Sequence, residues 1–173
     1  MTSSTTPLPD TQPYDVAAAD EGTTLLVFLD YYRAVFRRKV EGLDDEQVRT
    51  ASCPPSDLTP LGLVRHMADV ERGWFRRGLG EEIDFRFDYS VDEDIEFHPT
   101  PEDTMDEALA MWDEDVTAAR ANLERVSLDD LLARGREPRK SVRWTVVHMI
   151  EEYARHCGHL DLITEALDGR KGD

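Results

Sequence analysis

The stretch from Ser141 to Leu167, SVRWTVVHMIEEYARHCGHLDLITEAL, constrains the fold more than any other part of the chain. It holds three of the five histidines, contains no proline, and has Gly158 as its only glycine. So long a run without a breaker reads as a helix. At 100° per residue, His148, Glu152, His156 and His159 fall within roughly 80° of one another. Met149, Tyr153 and Leu160 lie beside them, and Ile163 falls among them. Imidazoles and a carboxylate therefore line the edge of a core face, which raises the question of a metal site.

The rest of the chain must supply what packs against that helix. Its 173 residues suffice for one domain with a proper core, and 40% of them are apolar. No window resembles a transmembrane span. The N-terminus shows no basic-then-apolar leader, so a cytoplasmic protein is expected. Lys and Arg total 20 against 37 acids, a formal charge of −17. That excess opposes nucleic acid and anionic membranes, because binding either one needs net basic contacts. The acidity by itself points only to solubility or a high-salt setting. Cys53 and Cys157 sit in no paired spacing and are expected as free thiols.

Residues 1–19 are rich in Thr, Ser and Pro and read as a flexible N-terminal arm, with Tyr14 able to pack a ring onto the body. Residues 20–170 read as one domain. From Glu21 to Val40, Leu25, Phe28, Leu29, Tyr32, Phe36 and Val40 recur at helical spacing, and Gly42 follows as a C-cap. Thr59-Pro60 starts a second helix that runs to about Arg77. Its apolar face carries Leu63, Met67, Val70 and Trp74, with His66 among them, while Arg65, Asp69 and Arg72 are expected to be exposed. A long acidic segment follows, from Gly80 to Pro101, in which Phe85, Phe87 and Tyr89 alternate with Arg86 and Asp88. It reads either as a surface excursion pinned by its aromatic residues or as a functional loop. Thr100-Pro101 suggests the start of a third helix running to about Val126, and Ser127 a short helix to about Ala133. The fourth helix is the opening stretch. The fold class is all-α, a four-helix bundle with a long acidic loop between helices 2 and 3.

Glu152 and His156 stand four apart, roughly 6 Å along the axis, and can converge on one ion. His66 can supply a third ligand from across the bundle. His148 with Glu152, and His156 with His159, are competing pairs, but His148 and His156 span about 12 Å of axis and cannot share an ion. The same row is also compatible with core-edge histidines satisfied by neighbouring carboxylates. Two imidazoles and a carboxylate suit Zn²⁺, with Ni²⁺ or Fe²⁺ as alternatives, and three protein ligands leave positions open, as a catalytic site requires.

The segments LTPLGLVRHMADVERGWFRR (58–77) and SVRWTVVHMIEEYARHCGHLDLITEALDG (141–169) together resemble the DinB-like metal-binding four-helix bundles. The closer likeness is to the branch containing mycothiol-dependent maleylpyruvate isomerase and thiol S-transferases, over about residues 20–170. The resemblance implies an up-down-down-up bundle and a metal held by His66, Glu152 and His156, where other members of the superfamily carry three histidines. It also implies a thiol S-transferase or isomerase acting on an electrophilic substrate, with a divalent metal and a small thiol such as mycothiol as cofactors. The metal would hold that thiol as its thiolate. His159 and His148 are then candidates to orient a ligand or move a proton, and Trp74 and Tyr153 to line the substrate pocket. Cys157 points about 100° away from His156 and reads as a buried small residue. A non-catalytic metal- or small-ligand-binding bundle protein of stress response is the alternative. Apolar residues left outside the core make a homodimer plausible.

Overall fold

The computed structural model describes residues 7–172. Four long helices dominate them: α1 (Glu21–Val40), α2 (Pro60–Glu71), α3 (Met105–Leu123) and α4 (Val142–Asp168). Among the described residues there is no strand, only an isolated bridge between Leu131 and Ser141. No helix there is long and apolar enough to cross a membrane.

Each helix begins where a side chain can satisfy its unpaired amides. Asp20 accepts from the Thr23 amide, Thr59 from Gly62, Thr104 from Glu107 and Ser141 from Trp144. Pro60 occupies the first turn of α2, where its missing N–H costs nothing. α4 stops at Gly169, which adopts a left-handed conformation (φ 80°) that favours glycine. α1 likewise ends just before Gly42, at φ 77°.

α1 packs along α4 and α2 along α3, and α2 also meets α4. Leu29 and Phe36 of α1, Leu63 and Met67 of α2, and Met149 and Leu160 of α4 are fully buried between them. Each such side chain stabilises the fold by about 1.5–3 kcal/mol relative to exposure. One polar network crosses this core. Arg33 donates from Nε and Nη2 to the two oxygens of Glu71, at 2.8 and 2.7 Å. The Tyr153 hydroxyl donates to Glu71 Oε1 at 2.6 Å and accepts from Trp112 Nε1 at 2.8 Å. Every group in the network is paired, which is the condition for burying charge without a large penalty.

α2 continues into a π-helical turn, Arg72–Arg77, in which the Gly78 amide bonds the Gly73 carbonyl at 2.9 Å. The wider turn brings the Trp74 carbonyl within 2.3 Å of where a Cβ on residue 78 would sit, so only glycine fits there.

The structure corrects four expectations. α3 starts at Met105, because Thr104 and Glu107 form the capping pair; Thr100 instead bonds the Asp103 carboxylate in a turn. Residues 127–133 form turns and the single bridge, with Ser127 accepting from the Asp129 amide. Arg65 and Asp69 are buried, not exposed, because the 81–98 segment folds across their face of α2. Tyr14 stays 94% exposed, and Val16 is the residue that packs inward from the Pro13–Val16 turn. The expected flexible arm lies outside the described residues over 1–6.

Candidate metal centre

His66 comes from the middle of α2, and Glu152 and His156 from consecutive turns of α4. One ligand atom from each of the three lies within 4.8 Å of the others. Metal–ligand bonds near ~2.1 Å put tetrahedral ligand atoms roughly 3.4 Å apart, so small rotations bring the trio onto one ion. His156 Nε2 already stands 3.3 Å from Glu152 Oε2. The His66 and His156 rings meet edge to face, with centroids 4.9 Å apart.

The imidazoles are held at their other nitrogens. His66 Nδ1 lies 3.2 Å from Glu96 Oε1, and with the ring proton on Nδ1 the Nε2 lone pair is available as a ligand. His156 Nδ1 faces His159 Nδ1 at 3.2 Å, where one donates and the other accepts. Burial, reinforced by His66, His159 and Arg155, pushes the His156 pKa down to about 3. At neutral pH it is an uncharged imidazole with a lone pair, the form a metal requires. This donor set, two imidazoles and a carboxylate, fits a divalent ion.

His148 stands on the outer side of Glu152, with Nε2 3.5 Å from Glu152 Oε1 and Nδ1 3.4 Å from Glu151 Oε2. His148, Glu151 and Glu152 form a second group of suitable spacing, but Glu151 is exposed. His148 also stacks on Trp144 (5.0 Å) and meets Trp74 edge-on (5.1 Å).

A cavity of about 470 Å³ opens on His66. Trp74, Val70, Phe85 and Leu132 provide apolar walls, Tyr89 and Glu96 polar ones, and Arg77 and Arg134 also line it. Of the two aromatic residues expected at a substrate pocket, Trp74 lines this cavity. Tyr153 does not: it is fully buried in the core network, its hydroxyl committed to Glu71 and Trp112. A second concavity, lined by Arg38, Lys39, Asp161 and Arg170 among others, shares no residue with the trio.

The acidic segment between α2 and α3 is a belt tied down along its length. Arg86 donates its amide to Asp69 and its Nε to buried Asp115. Tyr89 donates to Asp69, and Phe87 lies 4.3 Å under the Arg65 guanidinium. Arg65 also donates to the carbonyls of Ile95 and Glu96 and pairs with Asp103. These ties set the short turn Ile95–Phe97 over His66, with the Phe97 ring stacked 4.7 Å from the imidazole. Gly62 permits the approach, since a Cβ there would stand 3.1 Å from Phe97 Cα. Sequence reasoning missed Glu96 and Phe97. Eight acids lie between 81 and 96, and Asp84 and Asp88 are flanked by apolar residues just as Glu96 is.

Residues 24–169, which include the whole trio, match the family model described as MST: Mycothiol-S-transferase. No curated protein matches the chain.

Proposed function

Given that the chain belongs to the mycothiol S-transferase family, we propose that it transfers a small thiol, mycothiol by the family's description, onto an electrophilic substrate. The reaction would take place at a divalent metal held by His66, Glu152 and His156, with zinc the first choice on donor chemistry. The observation that carries this reading is the convergence of three ligand atoms from α2 and α4 within 4.8 Å. An ion bound there supplies one thing, a thiol held as thiolate at neutral pH.

The chain's own residues supply the rest. His159 fixes the His156 ring through the Nδ1–Nδ1 contact, and Glu152 lies between His156 and His148. Trp74, Val70, Phe85 and Leu132 give the cavity apolar walls against which the carbon skeleton of an electrophile can lie. The electrophile binds in that cavity beside His66. The sulfur lone pair forms the new C–S bond, and the displaced electron pair leaves with the leaving group or moves onto an adjoining acceptor. The thiol proton passes to solvent.

The test compares protein stripped by chelation with protein reloaded with Zn²⁺, Ni²⁺ or Fe²⁺. Each is given mycothiol and a panel of electrophiles, and adducts are followed by mass spectrometry. Metal-dependent adduct formation is expected with at least one electrophile. If no reloaded form exceeds the uncatalysed rate on any of them, the transferase reading fails.

A further inference from the structure

The Glu96 side chain is 8% exposed. One of its oxygens meets His66 Nδ1, and the other, Oε2, is buried without a hydrogen-bond partner among the described residues. Folded proteins rarely leave a buried carboxylate oxygen unsatisfied, and the exceptions call for a reason other than packing. The surrounding chain is built to hold the carboxylate in this place. Arg65 bonds the Glu96 and Ile95 carbonyls, Phe97 covers the imidazole, and Gly62 leaves room for the turn.

We propose that Glu96 is a positioning residue for the metal centre: its Oε1 accepts the His66 Nδ1 proton and so sets the tautomer and ring direction that turn Nε2 toward Glu152 and His156. The inference rests on the metal reading above and adds to it a role for the acidic segment, which delivers one carboxylate to the back of a ligand. Outer-shell carboxylates of this kind orient a ligating imidazole and raise its basicity. His156 is oriented differently, by a second histidine, so the two imidazole ligands have different supports.

The experiment titrates chelator-stripped full-length protein with Co²⁺, following the ligand-field absorption, and repeats it with Zn²⁺ in competition. E96A is expected to weaken metal binding about 10- to 100-fold. E96Q should retain most of the affinity, because the Gln carbonyl can still accept the Nδ1 proton. Thermal melts of the stripped E96A and parent proteins are recorded alongside, so that lost affinity is read only from protein that is still folded. If E96A does not fold, E96L takes its place, filling similar volume without an acceptor. Long-range ¹H–¹⁵N spectra should show the His66 Nδ1 proton losing its hydrogen-bonded shift in E96A and keeping it in E96Q.

Equal affinity in E96A and the parent overturns the role of Glu96 and leaves the metal site standing. An E96Q loss as large as that of E96A also overturns it, because the carboxylate would then act by charge or as a ligand in its own right. If the parent binds neither ion, the metal reading itself has failed.

Discussion

Chemistry at the residue scale depends on which nitrogen or sulfur is free. Glu152 touches two of the three histidines on its helix face, with Oε2 toward His156 and Oε1 toward His148. Only the His156 side converges with His66 in the three-residue group. Replacing Glu152 by Gln should therefore cost metal affinity far more than replacing His148 by Gln, with calorimetric titration of Zn²⁺ as the check. The reverse order would place the ion at His148 and Glu151 instead. Cys157 adjoins a ligand in sequence but is buried under α1, with its thiol 3.9 Å from the Tyr32 carbonyl. Burial pushes its pKa from 9.0 up to about 12. At pH 8 iodoacetamide should modify half-buried Cys53 well before Cys157, which peptide mass spectrometry can follow. Between pH 9.0 and about 12 the native thiol keeps a proton that the unfolded chain has lost. The unfolded state then binds fewer protons, so stability should decline as pH rises through that window. A Cys157 that alkylates as fast as Cys53 would contradict this burial.

Among the elements, the belt is the part whose role the periodicity of the helices did not disclose. Its anchor is Asp115 of α3, fully buried, which accepts from Arg72 (3.1 Å), Arg76 (2.7 Å) and Arg86 (2.7 Å). Glu114 shares Arg76 and Arg86 from the exposed side. Substituting Asp115 by Ala leaves three guanidinium groups around a void, and breaking a buried pair typically costs about 3–5 kcal/mol. Glu114 retains part of the lock, so about 3 kcal/mol is expected by chemical denaturation. Proteolytic cleavage should rise first within residues 79–98, ahead of the helices. Cleavage spread evenly over the chain would show that Asp115 supports the whole bundle and not the belt. The local start signals fared unevenly for a physical reason. Thr59-Pro60 starts a helix because Thr59 is free to cap it, whereas Thr100-Pro101 does not, because Asp103 takes the Thr100 amide and hydroxyl into a turn.

Taken as a whole molecule, the chain carries 37 acids against 20 basic side chains. Many of the bases are consumed in pairs such as Arg37–Asp113 and Arg143–Glu21, leaving an excess of negative charge that repels itself in the compact state. Exposed pairs contribute about 0–1 kcal/mol each and weaken with salt, but the uncompensated excess of 17 outweighs them. Raising NaCl from low to moderate concentration should therefore stabilise the protein by on the order of 1 kcal/mol, roughly 2–4 °C in Tm for a chain of this size. A fall in Tm with salt would mean that the ion pairs dominate. The all-α architecture, the bounds of α1 and α4, and the alignment of Glu152 with His148 and His156 on one helix face were legible in the sequence, because helical period and cap chemistry act over a few residues. The convergence of His66 on Glu152 and His156 was legible only as a possibility of the bundle. What only the tertiary structure decided is what meets His66 from outside its own helix: Glu96 on Nδ1 and Phe97 on the ring face, carried there by a segment with no period to read. The same holds for Tyr153, whose position on the core face was readable but whose hydroxyl was claimed by Glu71 from α2 and Trp112 from α3. Contacts between residues dozens of positions apart follow from how helices pack and how a belt is tied across them, and no local pattern records which of eight acids will end beneath a histidine.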